Sequence, residues 1–172
     1  MHPANFPAIL GLHLQDVTRE VEINLNGAIR MAVEFLPHLK RQKRATIVNV
    51  SSGLAFVPLP ILPVYCATKA AIHSFTQSLR IQLRNTNISV FELAPPITAT
   101  SLFRDNMSTD DVNVKPMDVK ILVKGAINGI KNDQLEIRPG LSNMLKIMSR
   151  LAPNFILKQL SKSIDRMQAR WE

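Results

Sequence analysis

Hydrophobic positions recur at spacings of three and four over residues 16–40, at Val17, Val21, Leu25, Ala28, Ala32, Leu36 and Leu39. That period predicts one amphipathic helix, capped at Asp16 or Thr18. Pro37 should distort its last turn, and the basic run "KRQKR" suits a helix C-terminus. "ATIVNVSS", 45–52, is β-branched without polar alternation, which predicts a strand buried on both faces of a parallel sheet. "GLAFVPLPILP" reads as a loop, and residues 65–85 as a second helix with Ile72, Phe75, Leu79 and Leu83 on one side. "ISVFELAPP", 88–96, predicts a second strand, residues 116–131 a third helix, and "QLEIRPG" a third strand. From Leu141 the pattern gives two helices parted at Pro153. In the second, Ile156, Leu160, Ile164, Met167 and Trp171 form an apolar stripe backed by Lys158, Lys162, Arg166 and Arg170.

This strand–helix alternation predicts an α/β fold with a parallel sheet over residues 1–140, followed by a basic amphipathic helical tail over 141–172. At 172 residues, with 46% hydrophobic and 20% charged positions, the chain has the composition of a globular domain with a real core. The uncharged run between Arg44 and Lys69 is long enough to span a bilayer. Pro58, Pro60, Pro63, Asn49, Ser51 and Ser52 interrupt it, so it reads as strand and loop. The N-terminus "MHPANFPAIL" lacks the pattern of a signal peptide, and a single cysteine, Cys66, fits a cytoplasmic protein. The net charge of +8 invites a nucleic-acid reading, but the tail, with six basic and two acidic residues, carries half of it. That distribution, with one aromatic nearby and no zinc-ligand spacing, argues against nucleic acid as a partner.

The candidate chemistry lies in "VYCATKAA", where the only tyrosine, Tyr65, precedes Lys69 by four residues. On a helix that spacing puts both on one face, one turn apart. A phenol titrates near 10, and bringing it near 7 takes roughly 4 kcal/mol. An ammonium about 4 Å away, at an effective dielectric of about 20, supplies about that much. The helix N-terminus adds about 0.3–1 kcal/mol. A tyrosine so tuned exchanges a proton with a carbonyl or alcohol oxygen. The pair alone is a weak signal, and by itself it reads better as a half-buried tyrosine beside a solvated lysine. Ser52 changes the balance: it ends a buried strand thirteen residues before Tyr65, and active sites of open α/β sheets lie at strand carboxyl ends. A serine there also fits a simple turn cap.

"IVNVSSGLAFVPLPILPVYCATKAAIHSFTQSLRIQL" resembles the catalytic half of the short-chain dehydrogenases/reductases. "VEINLNG" resembles the family's asparagine-bearing helix, with the asparagine at Asn24, and "LAPPITATSL" its Pro-Gly-x-Val-x-Thr segment. The "APP" variant and the tail resemble one subgroup of that family. The likeness covers about residues 15–140, with four motifs in order. It implies a Rossmann-like, doubly wound parallel sheet and hydride transfer between NAD(P)H and a carbonyl or alcohol. It further implies Tyr65 as general acid/base, Lys69 holding the nicotinamide ribose, Ser52 orienting the carbonyl, and Asn24 positioning a water that relays protons to Lys69. Tyr65, Lys69, Pro95, Thr98 and Thr100 would line the cofactor. The helices over 16–40 and 65–85 would pack across a subunit interface of a homo-oligomer.

The sequence also departs from that pattern. Pro96 and Thr98 stand where the family has glycine and valine, and a proline offers no N–H. The glycines, at 11, 27, 53, 125, 129 and 140, form neither G-x-G-x-x-G nor T-G-x-x-x-G-x-G. About two βαβ units, roughly 60 residues, are expected ahead of this segment in the family. The chain is therefore expected to be N-terminally short, with an incomplete NAD(P)H site. Its sheet would lack the N-terminal strands, strand 46–51 would form an edge, and the chain alone would associate. The alternative is a non-catalytic module derived from this family that binds a partner subunit. The tail stripe allows contact with an anionic membrane surface or packing onto the domain. Cys66 allows an activated thiol or a small buried hydrophobe. His2, His13, His38 and His73 suggest neither a metal site nor a triad.

Overall fold

A computed structural model describes residues 13–100 and 114–168. Helix α1 (Leu14–Val21) runs into a wide π-type turn (Glu22–Asn26) and on into α2 (Gly27–Lys40). Then follow β1 (Ala45–Val50), a short 3-10 turn (Gly53–Ala55), α3 (Pro63–Leu83) and β2 (Ile88–Leu93). After the segment outside the description come α4 (Val119–Lys131), β3 (Glu136–Ile137), α5 (Leu141–Leu151) and α6 (Pro153–Gln168). The helix expected over 16–40 is thus interrupted, and the interruption holds Asn24. Such wide turns concentrate at functional sites. Pro37 is accommodated inside α2, which continues to Lys40. Helix α3 starts two residues earlier than the pattern suggested, with Pro63 in its first turn, where a missing N–H costs nothing. Helix α4 starts at a cap, the Asp118 carboxylate accepting from Lys120 N at 2.6 Å.

The three strands are all parallel, in the order β1-β2-β3. Strand alternation separates two faces. Ala45, Ile47, Ile88 and Val90 meet Ala32 and Leu36 of α2 and Phe75, Leu79 and Leu83 of α3. On the other face α4 approaches so closely that a Cβ at Gly129 would fall 2.6 Å from Ile137 Cγ1. Helices on both faces of a parallel sheet make this the α/β architecture expected, and Arg80 fastens it. Its guanidinium donates from Nε to Val90 O at 2.9 Å and from Nη2 to Leu135 O at 2.8 Å.

β1 corrects one expectation. It is buried on one face only: Val48 and Val50 are 38% and 50% exposed, opposite α3. The physical reason is cover: α2 and α3 pack on the face of Ala45 and Ile47, while α4 lies over β3, and β1 pairs only with β2 among the described residues, at the edge. The doubly buried strand is β2. In the tail, Leu145 and Ile156 join Val57 in a second cluster, with Leu54, Leu141, Met148 and Leu160 against it. Ile156 and Leu160 of the predicted stripe therefore pack onto the loop after β1, while Trp171 lies outside the described residues. Among the described residues no helix is long and apolar enough to cross a membrane.

Candidate active site

Ser52 sits just past the carboxyl end of β1. The ladder continues on both sides of it: Ser51 N donates to Leu93 O at 2.9 Å, and Gly53 N to Pro95 O at 2.8 Å. Its own backbone is extended, and its Oγ accepts from Leu54 N at 3.1 Å, capping the 3-10 turn. That bond uses an acceptor site and leaves the hydroxyl hydrogen to donate. Tyr65, in the first turn of α3, lies within its influence: the Ser52 hydroxyl favours the phenolate form.

The phenol of Tyr65 is shifted above its ordinary value of 10.0. Burial is the main cause. Ser52 pulls the other way, and Cys66 and Glu20 add to the rise. This overturns the expectation that Lys69 brings Tyr65 towards neutrality. The Lys69 ammonium does lie near, 5.6 Å from the ring centroid. It turns instead to Val50 O, at 3.1 Å, and its charge is stabilised by Glu20. Burial lowers the pKa of Lys69 itself. Two of its three ammonium hydrogens remain beyond the Val50 bond.

Asn24 faces the same turn of α3. Its Nδ2 donates over 3.5 Å to Thr68 Oγ1 and to Glu20 Oε1, and Thr68 Oγ1 donates to Tyr65 O at 2.8 Å. The structure therefore brings Asn24, Ser52, Tyr65 and Lys69 together, and ties Pro95 to them through Gly53. Thr98 and Thr100 lie further along the segment after β2. Thr98 bridges to Met117, and its Oγ1 donates to Pro96 O at 2.8 Å. Thr100 Oγ1 donates to Thr98 O at 3.5 Å. Cys66 is buried, with Leu59 N donating to its sulfur at 3.3 Å, and burial pushes its thiol up. It packs as a small hydrophobe, because a thiol held in its protonated form is a poor nucleophile.

Sequence reasoning passed over Glu20, which acts on Tyr65, Cys66 and Lys69 at once. Burial raises the carboxyl of Glu20 itself, against the pull of Lys69. It also passed over a buried polar network behind Ser52. Glu92, fully buried in β2, accepts from Ser51 Oγ and lies 2.7 Å from Nδ1 of His73. The sheet register sets Glu136 beside Glu92. Glu136 is held by Lys146 of α5 and by Arg138, at 2.8 Å. The ligand atoms of His73, Glu92 and Glu136 fall within 4.8 Å of one another. Lys146 and Arg138 already supply the cations there. The signal for the network was a glutamate inside a doubly buried strand, which demands partners. A separate apolar groove of about 530 Å³ runs between Leu14, Val17, Val21 and Leu25 on one side and Pro63, Val64, Ala67 and Thr68 of α3 on the other. It does not include Ser52, Tyr65 or Lys69.

Comparison with known proteins places this arrangement. The family model for short chain dehydrogenases matches residues 4–111, more than half of the chain. The uncharacterized oxidoreductase DltE of Bacillus subtilis is 42% identical over 118 residues, covering 69% of this chain and 47% of that protein. Among solved structures, a short chain dehydrogenase from Burkholderia cenocepacia in complex with NADP superposes with a TM-score of 0.77 at 22% identity. That match covers 89% of this chain and 62% of the other. A short-chain dehydrogenase from Sphingobium yanoikuyae in complex with NADPH gives 0.71 at 23%, covering 94% and 59%. The chain spans about half the length of the curated relatives it matches. With the strand-end serine, the tyrosine and lysine one helical turn apart, and the family model agreeing, this chain belongs to the short-chain dehydrogenase/reductase family.

Proposed function

We propose that this chain carries the acid–base half of an NAD(P)H-dependent oxidoreductase acting on a small carbonyl or alcohol. The observation that carries the reading is the Ser52 hydroxyl acting on the Tyr65 phenol at the open end of the sheet, with Lys69 one turn further on and its ammonium 5.6 Å from the ring centroid. A phenol shifted above 10.0 is almost wholly protonated near neutral pH, which suits donation to a carbonyl oxygen. In that step Tyr65 gives up its proton, Ser52 orients the same oxygen, and Asn24 holds a water that returns a proton by way of Lys69.

The residues present fit the nicotinamide end of the cofactor, which would supply or accept the hydride. Lys69 has ammonium hydrogens to offer the ribose hydroxyls, beside Tyr65, and Pro95, Thr98 and Thr100 would flank them. No glycine-rich turn for the pyrophosphate occurs in the sequence. Titrating NADPH and NADH against the protein at its full natural length, followed by nicotinamide fluorescence, is expected to show saturable binding of at least one. Binding of neither would overturn the reading.

The edge of β1 favours association, whether with a second copy or, as a second reading, with a partner subunit that makes this chain a binding module. Val48 and Val50 are exposed there, and unpaired parallel edges invite pairing. Leu14 and Ile23, 79% and 63% exposed, put further apolar surface on the helices expected to join subunits. Sedimentation should therefore give a mass above 19.2 kDa. A sharply melting monomer would contradict it. The free, buried Cys66 fits a cytoplasmic setting.

A further inference from the structure

We propose that the tail helix α5 is a positioning element for the reaction, with Ser142 seating the turn that carries Ser52 and Lys146 bracing it from behind. The inference rests on the reading of Ser52 and Tyr65 as the reacting pair.

Three independent contacts support it. First, Gly53, next to Ser52, is pressed against α5: an added Cβ would lie 2.6 Å from Ser142 Oγ and 3.2 Å from Ser142 Cα. Ser142 is fully buried, and its hydroxyl has no hydrogen-bond partner among the described residues. The fit is therefore steric, a close approach that only glycine allows. Second, Phe56, at the end of the same 3-10 turn, is held between two cations or potential cations. The Lys146 ammonium stands 5.1 Å over its ring, and His73 meets it edge-on at 5.0 Å. Third, both of those groups are anchored to the sheet ends. His73 is bound to Glu92, which also takes the Ser51 hydroxyl, and Lys146 is bound to Glu136 beside it. Ser52 is thus flanked by Ser51, fixed through Glu92, and by Gly53, fixed through Ser142. An element some ninety residues away in the chain closes the back of the site.

The single tyrosine gives a direct readout. Tyrosinate absorbance reports Tyr65 alone, whose acidity is set by burial, Ser52, Cys66 and Glu20. Moving Ser52 away weakens an interaction that favours the phenolate, so Tyr65 should ionise at still higher pH. Loosening or unfolding would expose the ring and move ionisation the other way, towards 10.0. The sign separates positioning from damage.

The test uses the full chain and four variants: Gly53→Ala, Gly53→Ala with Ser142→Gly, Lys146→Met and Lys146→Arg. Gly53→Ala and Lys146→Met are expected to raise the ionisation midpoint. Ser142→Gly should reverse the first, and Lys146→Arg should leave the midpoint near the parent value. Where carbonyl turnover is measurable, kcat should fall by about 10- to 100-fold with cofactor affinity within about twofold, as expected for a displaced reacting group. Midpoints unchanged or lowered in both Gly53→Ala and Lys146→Met would overturn the proposal. The titration needs no substrate, so absence of turnover in the parent chain would count against the functional reading alone.

Discussion

Replacing Tyr65 with phenylalanine is expected to lower turnover by about 10²–10⁴-fold, the usual contribution of a positioned proton donor. Cofactor affinity and melting temperature should barely change. The ring remains in its half-buried place at the start of α3, and only the hydroxyl is lost. The oxygen removed is the one whose acidity Ser52 influences. Its two described neighbours are otherwise engaged: Cys66 faces the Leu59 backbone with its thiol pushed up, and Lys69 is turned to Val50. Steady-state kinetics beside a fluorescence titration separate the two effects. A fall in kcat with cofactor binding intact is the expected split, because the proton moves only in the reaction step. A parallel loss of binding would mark Tyr65 as a packing residue.

Replacing Lys146 with methionine is expected to cost about 3–5 kcal/mol of stability near neutral pH. That is the usual result of removing one partner of a buried ion pair. Lys146 is 8% exposed, and its loss leaves the Glu136 carboxylate, beside Glu92, with Arg138 as its one cationic partner among the described residues. The pH dependence has a definite sign. Burial by itself raises the carboxyl of Glu136, but bonds and charge from Lys146 and then Arg138 hold it below the ordinary 4.5. A carboxylate depressed in the folded state adds stability that is present above about 4.5 and is lost as pH falls through the lower folded value. Without the ammonium, the folded value rises and that contribution vanishes. The deficit of the variant should therefore be largest near pH 7 and shrink on acidification. Urea midpoints at several pH values check this, and a deficit that grows towards acid would contradict it.

The elements were legible because their periods differ. Ile72, Leu79 and Leu83 mark α3 by helical spacing, and the run "TIVNV" marks β1 by composition. The pairing of Tyr65 with Lys69 was legible from spacing alone. Its electrostatics were not, since the i to i+4 rule brings the two side chains to one face without saying where the ammonium points. Burial of the phenol and the bond from Lys69 to Val50 O decide the direction, and both depend on β1 lying beneath α3. The burial of β1 was misjudged for a related reason: composition reports that a strand tolerates two apolar neighbours, not that both are present. The Glu92–Glu136 pair was hidden because 44 residues separate its members, and only the sheet register brings them together. The same holds for His73, which has no chemical company in the sequence and meets Glu92 across the α3–β2 packing.

The most direct test of the central claim is carbonyl-dependent oxidation of NADPH or NADH by the full-length protein, measured beside Tyr65→Phe and Ser52→Ala. The expected result is turnover of at least one aldehyde or ketone by the parent, with both variants slowed at least about tenfold and still folded. Cofactor oxidation that proceeds equally in the parent and both variants would contradict the assignment of Tyr65 and Ser52. Its absence in a folded parent that binds cofactor, across a broad carbonyl panel, would point instead to the partner-binding role.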